Sequence, residues 1–469
     1  MNTGITTTFT RLKKEILVGF IFTGALLLRF ELSLFNRQAN DNHLEAISWI
    51  IDKHTLPTKE DCWECSQPKI YYVLNAELME LFHVDGLERR MVFAQMINFF
   101  FSAILLLFIW LFIRNQAFSF RIKILGFSIL AFNPCLAGIN AQVTNDTMEI
   151  LAGTMTIYFA DIFFKKWKPK HLVLMTASII LACITKGSGL SLLLGILIIY
   201  ATTFFILPKQ KINFLLLSSA AFIVAILLTV PFAGGYYSNY KKYGDAFINN
   251  IPQKDPPPEF FHETYVNRPG VTSVVNSYCT FRIFNMLEQP YITNDFENYP
   301  LHRTSLWSQL YGRTFFVHFD QFPGTWATLD ERVLRVGKAL LFLGLIPLTL
   351  FLIGCYHSCR DILRFIVKKN KSGLSGNFSW AHLILIVSCL LFIIKYTYDY
   401  RDFATMKSIF LFPVLLSIIY LFMRGFEKIK SESVSKIISG AITALVLFSI
   451  ADTLFLVSQL KIWVERFPF

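Results

Sequence analysis

Acidic and basic side chains stand at the ends of several strongly apolar segments of this sequence. Four short stretches carry them, NDNHLE, QPKIYY, TNDTMEI and TKGSGL. A carboxylate can orient or deprotonate a hydroxyl nucleophile, and a lysine can neutralise a phosphate whose charge grows as it leaves. The candidate residues for this chemistry are Asp41, His43, Glu45, Lys69, Asp146, Glu149 and Lys186.

Several of these residues also have an ordinary structural explanation. Asp41 can cap a short helix, and Asp146 can cap the apolar helix that follows it. His43 is compatible with an interfacial histidine, and Lys186 with a side chain that extends from a helix end towards lipid headgroups. The local sequence leaves both interpretations open at each position.

The apolar segments that must position these residues predict an integral membrane protein. Hydrophobic residues make up 54% of the chain, and 48 of its 469 residues are Phe, which is more than a soluble domain can bury. Apolar runs of about 17 to 25 residues are long enough to cross the hydrocarbon layer. We predict eleven spans, at residues 16–34, 92–113, 122–140, 146–164, 171–185, 188–207, 212–232, 336–355, 380–396, 405–423 and 437–458.

The distribution of Lys and Arg predicts the orientation of these spans, because basic residues beside membrane helices are retained in the cytoplasm. One alternating set of connections is basic and is predicted to be cytoplasmic: Arg11, Lys13, Lys14, Arg114, Arg121, Lys123, Lys165, Lys166, Lys168, Lys170, Lys209, Lys211, Arg360, Arg364, Lys368, Lys369, Lys371, Arg424, Lys428, Lys430 and Lys436. The opposite short connections carry only Lys186, Lys395, Arg401 and Lys407. The N-terminus is therefore expected inside, the C-terminus outside, and all four candidate stretches outside.

The formal net charge of +12 falls mostly in the predicted cytoplasmic connections, where it faces anionic lipid headgroups. A nucleic-acid partner is therefore not expected. The first apolar segment follows a basic stretch but lacks a small-residue cleavage site, so we expect a retained helix rather than a signal peptide.

Two predicted outer segments are too long to be simple connections. Residues 35–91 contain DNHLEAISWIIDKH and PKIYYVLNAELMELF, in which apolar residues on one helical face are typical of helices at the membrane interface. Residues 233–335 are rich in Pro and aromatic residues and predict an ordered cap. The expected organisation is a seven-helix module at 1–232, this cap, and a four-helix bundle at 336–469.

Two of the eight cysteines form a pattern, since Cys62 and Cys65 make the CWEC of the first outer segment. That compartment permits disulfides, so a local bridge is expected there. A zinc or redox site is disfavoured, because no second ligand pair is nearby in the sequence.

The order of the candidate stretches resembles that of the GT-C glycosyltransferases that use polyprenyl-phosphate sugars, the group of protein O-mannosyltransferases and aminoarabinose transferases. An acidic residue follows the first span, QPKIYY comes next, NPCLAGINAQVTND joins spans three and four, and TKGSGL joins spans five and six. The resemblance covers about residues 15–245, including YKKYGDAF after span seven, while RTSLWSQLYG and MKSIFLFPVLL are looser matches. The HPP element of that group is here Gln67-Pro68-Lys69.

This resemblance implies a GT-C fold and an inverting transfer of a sugar from a polyprenyl- or dolichyl-phosphate donor on the non-cytoplasmic side. The acceptor implied is a protein, glycan or glycolipid. Asp41 would be the catalytic acidic residue that orients or deprotonates the acceptor. Asp146 would line the acceptor side of the cavity, with Glu45 as a second candidate there. The cations that would bind the donor phosphate are Lys69, Lys186, Arg401 and Lys407.

A metal cofactor is not required by this chemistry, because a lipid phosphate held by cations is already a good leaving group. The first outer segment shows no Asp-x-Asp pattern, although Asp41, Glu45 and Asp146 are together able to bind a divalent cation. The location implied is a bacterial inner or plasma membrane, or the endoplasmic reticulum. The alternatives are a transporter or flippase of a lipid-linked sugar and a non-catalytic subunit; the outer clusters and the absence of a Walker A pattern favour an enzyme.

Overall fold

The computed structural model describes residues 2–36, 42–206, 209–248, 274–292, 301–319, 330–368, 378–400 and 405–466. This part of the chain is helical and contains no β-strand. The helices of the first half are α1 (Asn2–Phe35), α2 (His43–Lys53), α3 (Ile70–Leu81), α4 (Leu87–Arg114), α5 (Phe120–Ala131), α6 (Pro134–Asn140), α7 (Asp146–Lys166), α8 (Pro169–Thr185), α9 (Gly189–Ile206), α10 (Lys209–Ala233) and α11 (Tyr236–Tyr243). Those of the second half are α12 (Val274–Cys279), α13 (Ile283–Glu288), α14 (Leu306–Phe315), α15 (Glu331–Leu343), α16 (Leu345–Lys368), α17 (Ser379–Tyr400), α18 (Leu415–Glu427) and α19 (Glu432–Arg466).

Among the described residues, eight helical stretches are long and apolar enough to cross a membrane, and the bent pair of α5 and α6 makes a ninth. Helices α8 and α9 are apolar but shorter. The predicted all-helical membrane protein is thus confirmed, and each predicted span coincides with a helical segment. The number of eleven spans and the orientation of the termini stay predictions.

The break between α5 and α6 has a local cause. Pro134 opens α6, and a proline cannot continue a preceding helix because it lacks an N–H and its ring clashes with the previous turn. The side chain of Asn133 accepts a hydrogen bond from the Leu136 N–H at 2.7 Å and caps the new helix. The Asn133 amide also donates to the Thr314 carbonyl at 2.8 Å, so the 48° bend connects the bundle to α14.

Helix α7 lies in the middle of the bundle and packs against α4, α8 and the 3₁₀ segment Ser408–Val414. The last of these contacts depends on Gly153, where an added Cβ would come within 2.6 Å of the Pro413 carbonyl oxygen. In a bilayer, such close backbone approaches replace the hydrophobic driving force that helices have in water. The N-terminal helices are thereby joined to the C-terminal ones.

Helices α16 and α18 approach each other through two glycines. An added Cβ at Gly354 would overlap the Leu421 carbonyl oxygen, and one at Gly425 would overlap the Leu350 carbonyl oxygen. The two backbones are therefore in mutual contact on both sides of the crossing, an arrangement that only glycine permits here.

The predicted helices of the first outer segment are confirmed as α2 and α3. Leu44 and Ile47 are buried on the predicted face of α2, and they belong to a cluster that includes Tyr72 of α3 and Met148 of α7. The apolar face of α2 therefore contacts protein. Between α2 and α3, Cys62 and Cys65 are joined by a disulfide, with their Cα atoms 5.0 Å apart.

The described part of the cap is attached to the last helix through buried polar groups. The carboxylate of Asp452 in α19 lies 2.6 Å from Nδ1 of His318 and accepts the Val317 N–H at 2.9 Å. His318 Nε2 lies 3.2 Å from the Gln459 side-chain oxygen. Because the side chains of His318 and Asp452 are fully buried, their mutual pairing removes the cost of burying each alone.

The glycine contact between α16 and α18 makes a stability prediction. Gly354→Ala should lower the free energy of unfolding by about 2 kcal/mol, because the new methyl group forces the two backbones apart. Thermal unfolding in detergent micelles measures the change. Gly440→Ala is the matched control, since nothing lies within 4 Å of a Cβ at that helical position; equal effects of the two substitutions would contradict the proposed contact.

Candidate functional site

Asp146 begins α7 and is held by the residue two positions before it. Its Oδ2 accepts a hydrogen bond from the Thr144 hydroxyl at 2.6 Å, and its own N–H donates to that hydroxyl at 3.2 Å. The N-cap position is Asn145, whose side chain makes no capping bond. Asp146 therefore does not cap the helix, and its carboxylate, 3% exposed, is directed to other partners near the positive helix N-terminus.

The main partner of Asp146 is Lys186. The Lys186 ammonium donates to Asp146 Oδ1 and lies 5.4 Å from the ring centre of Phe410, a distance at which a cation is attracted to the π face. Only 13% of its side chain is exposed. Lys186, at the C-terminal end of α8, thus points into the bundle and does not extend along its surface.

His43 connects α2 to this pair. Its Nε2 lies 3.4 Å from the Thr144 hydroxyl oxygen, and its Nδ1 lies 2.8 Å from the Tyr72 hydroxyl. Because the Thr144 hydroxyl hydrogen is donated to Asp146, the network assigns the ring proton to Nε2, which donates to Thr144. The Tyr72 hydroxyl then donates to Nδ1, and one continuous chain of hydrogen bonds runs from Tyr72 to Lys186.

The backbone before Asp146 is fixed from α4. The side-chain amide of Asn98, which is fully buried, donates to the carbonyl oxygens of Gln142 at 2.6 Å and Thr144 at 3.0 Å. These carbonyls lie in the connection before α7, where no helical donor is available to them. Asn98 therefore sets the position from which Asp146 starts its helix.

Glu149 follows Asp146 by nearly one turn of α7, so the two carboxylates share a helical face. Its Oε1 accepts a hydrogen bond from the Ser188 hydroxyl at 2.6 Å. Its Oε2 is buried and has no hydrogen-bond partner among the described residues. Glu149 is among the candidates predicted from the sequence, but the family resemblance assigns it no specific role; the three-residue spacing of the two acids is the signal that connects them.

Lys69 and Lys186 are linked electrostatically by Glu64. The Glu64 side chain is buried and lies in the 3₁₀ turn Trp63–Ser66, between the two cysteines of the disulfide. It interacts electrostatically with both lysines.

The Lys69 ammonium donates a hydrogen bond to the Cys65 carbonyl. Burial lowers the pKa of Lys69 to about 8, although the charges of Asp61 and Glu64 act to raise it. Glu64 is not among the residues predicted from the sequence, because the CWEC motif was interpreted through its cysteines alone.

The other predicted site residues are less closely involved. Asp41 and Arg401 lie outside the described residues. Glu45 is exposed on α2, away from the buried face that carries His43. Lys407 is half-buried and precedes the 3₁₀ segment that carries Phe410.

The residues brought together are thus one lysine, two carboxylates and a histidine, with a second lysine connected through Glu64. Within the described ranges, no three His, Cys, Asp or Glu side chains are arranged to hold a metal ion. Charges buried in protein interact much more strongly than in water. The arrangement is suited to bind an anion at the lysines and to hold a polar acceptor at the carboxylates.

Comparison with known proteins gives similar folds but no sequence relatives. No protein-family model and no curated protein matches the chain. Among solved structures, the chain is similar to the oligosaccharyltransferase of Archaeoglobus fulgidus in its apo form, with a TM-score of 0.48 and 12% identity over 94% of this chain and 56% of that one. For the same archaeal enzyme, AglB, in complex with an inhibitory peptide and a dolichol-phosphate, the TM-score is 0.48 and the identity 14% over 94% and 56%.

ArnT from Cupriavidus metallidurans in the apo state is a further similar structure, with a TM-score of 0.37 and 15% identity over 87% of this chain and 76% of that one. The chain spans about half the length of the archaeal enzyme.

The ion pair of Asp146 and Lys186 makes a prediction about coupling. Asp146→Asn leaves a buried cation without its main partner and should lower the free energy of unfolding by about 3 kcal/mol. In the double variant Asp146→Asn/Lys186→Gln both charges are absent, so its loss should be smaller than the sum of the two single losses. Thermal unfolding in detergent micelles gives the three values.

The matched control is Lys395→Gln, which removes a lysine that pairs with Asp399 but is 75% exposed. An exposed pair of this kind contributes less than about 1 kcal/mol. Strict additivity of the Asp146 and Lys186 substitutions would contradict the buried pair.

Proposed function

We propose that this protein is an inverting GT-C-type glycosyltransferase that transfers a sugar from a polyprenyl- or dolichyl-phosphate donor to an acceptor on the non-cytoplasmic side of its membrane. The observation that carries the proposal is the buried group of Asp146, Lys186, Glu149 and His43 at one end of an all-helical membrane bundle. Ionisable side chains are costly inside a membrane bundle, and where they occur they are typical of functional sites.

The donor phosphate is assigned to the lysines. An ammonium has three N–H donors, and Lys186 uses one of them for Asp146. Lys69, kept near Lys186 by their common neighbour Glu64, supplies a second cation. Arg401 and Lys407 complete the proposed set. As the bond between the anomeric carbon and the phosphate oxygen breaks, negative charge grows on the phosphate, and these cations stabilise it more than they stabilise the bound donor.

The acceptor is assigned to the carboxylates. Asp41 is the proposed base, and it precedes His43 by two residues in the sequence, while His43 is bonded into the Asp146 network. Asp146 and the open Oε2 of Glu149 line the acceptor side, and Glu45 is a further contributor. A protein side chain, a glycan or a glycolipid that presents a hydroxyl group satisfies this chemistry.

The proposed reaction is one direct displacement. The acceptor oxygen forms a bond to the anomeric carbon from the face opposite the phosphate, and the configuration inverts. The acceptor proton passes to the Asp41 carboxylate, and the lipid phosphate leaves with the bonding electron pair. Because cationic side chains neutralise the phosphate, this mechanism does not require a metal. The proposed location is a bacterial plasma membrane or the endoplasmic reticulum.

Loss of the proposed base should abolish transfer without loss of the fold. Asp41→Asn is expected to lower the rate at least about 100-fold, the usual contribution of a general base. The assay measures sugar transfer by the purified protein from a panel of polyprenyl-phosphate sugars. The acceptor for this assay is identified first, by mass spectrometry of glycans and glycolipids from cells with and without the gene. Asp52→Asn removes another acid of the same outer segment, one that pairs with Arg90 at 3.0 Å, and should leave the rate unchanged.

Near-normal transfer by Asp41→Asn would refute the role of Asp41. If the Asp41→Asn and Asp52→Asn variants both move the lipid-linked sugar across the membrane of reconstituted vesicles, and neither transfers the sugar to an acceptor, the result would favour a flippase.

The pKa of Lys69 makes a prediction about pH. With a pKa of about 8, Lys69 is charged below this pH and neutral above it, so donor affinity should fall as the pH rises through 8. A lipid-phosphate sugar is a phosphodiester and does not titrate in this range. The KM for the donor, measured from pH 6.5 to about 9.5, reports the change.

Lys69→Arg should flatten this profile, because arginine keeps its charge throughout the range. Lys53→Arg, at an exposed position of α2, is the control and should retain the wild-type profile. A wild-type KM that does not change across pH 8 would argue against Lys69 as a donor ligand.

A further inference from the structure

A second group of charges lies at the other end of the bundle, where α16 and α18 meet. Phe410, which contacts Lys186, precedes α18, and Arg424 follows Phe410 by 14 residues along the same helical segment. At the helical rise of 1.5 Å per residue, this separation is about 20 Å. The Arg424 group therefore belongs to the membrane face opposite the proposed catalytic site.

Arg424 is buried but only partly paired. It is 4% exposed, and its Nη2 donates to Asp361 Oδ2 at 2.6 Å. Its Nε and Nη1 are buried and have no hydrogen-bond partner in the part of the chain that the structure describes. A buried N–H of a charged group without an acceptor is costly, so these two donors are suited to an anionic ligand.

Further cations surround Arg424. His357 interacts electrostatically with Arg360, Arg424 and Lys428, and among carboxylates with Asp361, so these side chains form one neighbourhood. The Nε of Arg360 is also buried without a hydrogen-bond partner among the described residues. Lys428 is exposed and follows the exposed Glu427. Among the described residues, the groups that act on His357 therefore include three permanent cations and the carboxylate of Asp361. Tyr420, which interacts with Arg424, also interacts with the carboxylates of Asp161 and Glu427.

The geometry of this neighbourhood is rigid. Gly425 follows Arg424 directly, and Gly354 lies on α16 less than two turns before Arg360. Both glycines make the backbone contact that fixes α16 against α18. The usual excess of Lys and Arg on the cytoplasmic side explains the sign of the charge, but it does not explain an arginine that is buried with open donors.

We propose that Arg424, Arg360 and Lys428 form a binding site for the phosphate group of an anionic lipid headgroup, in the leaflet opposite the proposed catalytic site. Guanidinium groups match the geometry of phosphate oxygens and form strong charge-assisted hydrogen bonds with them. Basic pockets between membrane helices at the headgroup level are suited to such lipids. This site does not depend on the proposed function and persists if that function is wrong.

Native mass spectrometry of the full-length protein in detergent tests the site. The probes are short-chain phosphatidic acid, phosphatidylcholine of equal chain length, and inorganic phosphate. We expect phosphatidic acid to be retained in preference to phosphatidylcholine. The double variant Arg360→Gln/Lys428→Gln should weaken this retention at least about tenfold, since each charge-assisted hydrogen bond contributes more than 1.4 kcal/mol, about one factor of ten in affinity.

A second variant, Arg424→Gln/Asp361→Asn, removes the buried pair together, so that no unpaired carboxylate is left to unfold the bundle; it should also lose the preference for phosphatidic acid. The control is Lys436→Gln, which removes a mostly exposed cation of the same end that pairs with Glu432 at 2.8 Å. An equal loss in this control, or equal retention of the two lipids by the wild type, would overturn the site. Displacement of phosphatidic acid by an equal concentration of inorganic phosphate would overturn the lipid as the source of the phosphate.

Discussion

The ion pair of Asp146 and Lys186 is the interaction on which the candidate site depends. A lysine and an aspartate are stable in the interior of a membrane bundle only when each neutralises the other and their remaining polar atoms are bonded. The Thr144 hydroxyl donates to the carboxylate and is itself bonded to His43, and the ring of Phe410 faces the ammonium. Four separate parts of the chain, namely α2, the start of α7, the end of α8 and the segment before α18, are thereby required to meet at one point.

Much of this arrangement was predictable from the sequence, because a membrane-spanning helix must be long and apolar, and charged residues in or beside it are usually paired or functional. Asp146 and Lys186 stand at the ends of such segments, and their pairing follows once α7 and α8 are antiparallel neighbours. The role of Glu64 was not predictable, since a single acid inside a cysteine motif has no periodicity that reveals its neighbours. The face of α2 with Leu44 and Ile47 is equally ambiguous, because an amphipathic pattern is the same whether its apolar side contacts lipid or protein.

The two ends of the bundle obtain their precision in different ways. Around Asp146, side-chain hydrogen bonds fix the geometry, and Oε2 of Glu149 is buried without a hydrogen-bond partner among the described residues. Around Arg424, direct backbone contact at Gly354 and Gly425 fixes two helices, and the polar groups are incompletely satisfied. The local sequence signals differ accordingly: acids spaced along a helix mark the first end, and glycines beside basic residues mark the second.

The attachment of the cap to α19 has a consequence for the order in which the molecule is built. His318 and Val317 bond to Asp452, which lies 134 residues after His318. Val317 and His318 therefore leave the ribosome well before Asp452, their hydrogen-bond partner, has been synthesised. Helices α7 and α8, which carry Asp146 and Lys186, can pack together early in synthesis. The contact of the cap with Asp452 cannot form until α19 has been inserted. The buried contact of the cap therefore forms only after α19, which also packs against α1 and α15, has been made.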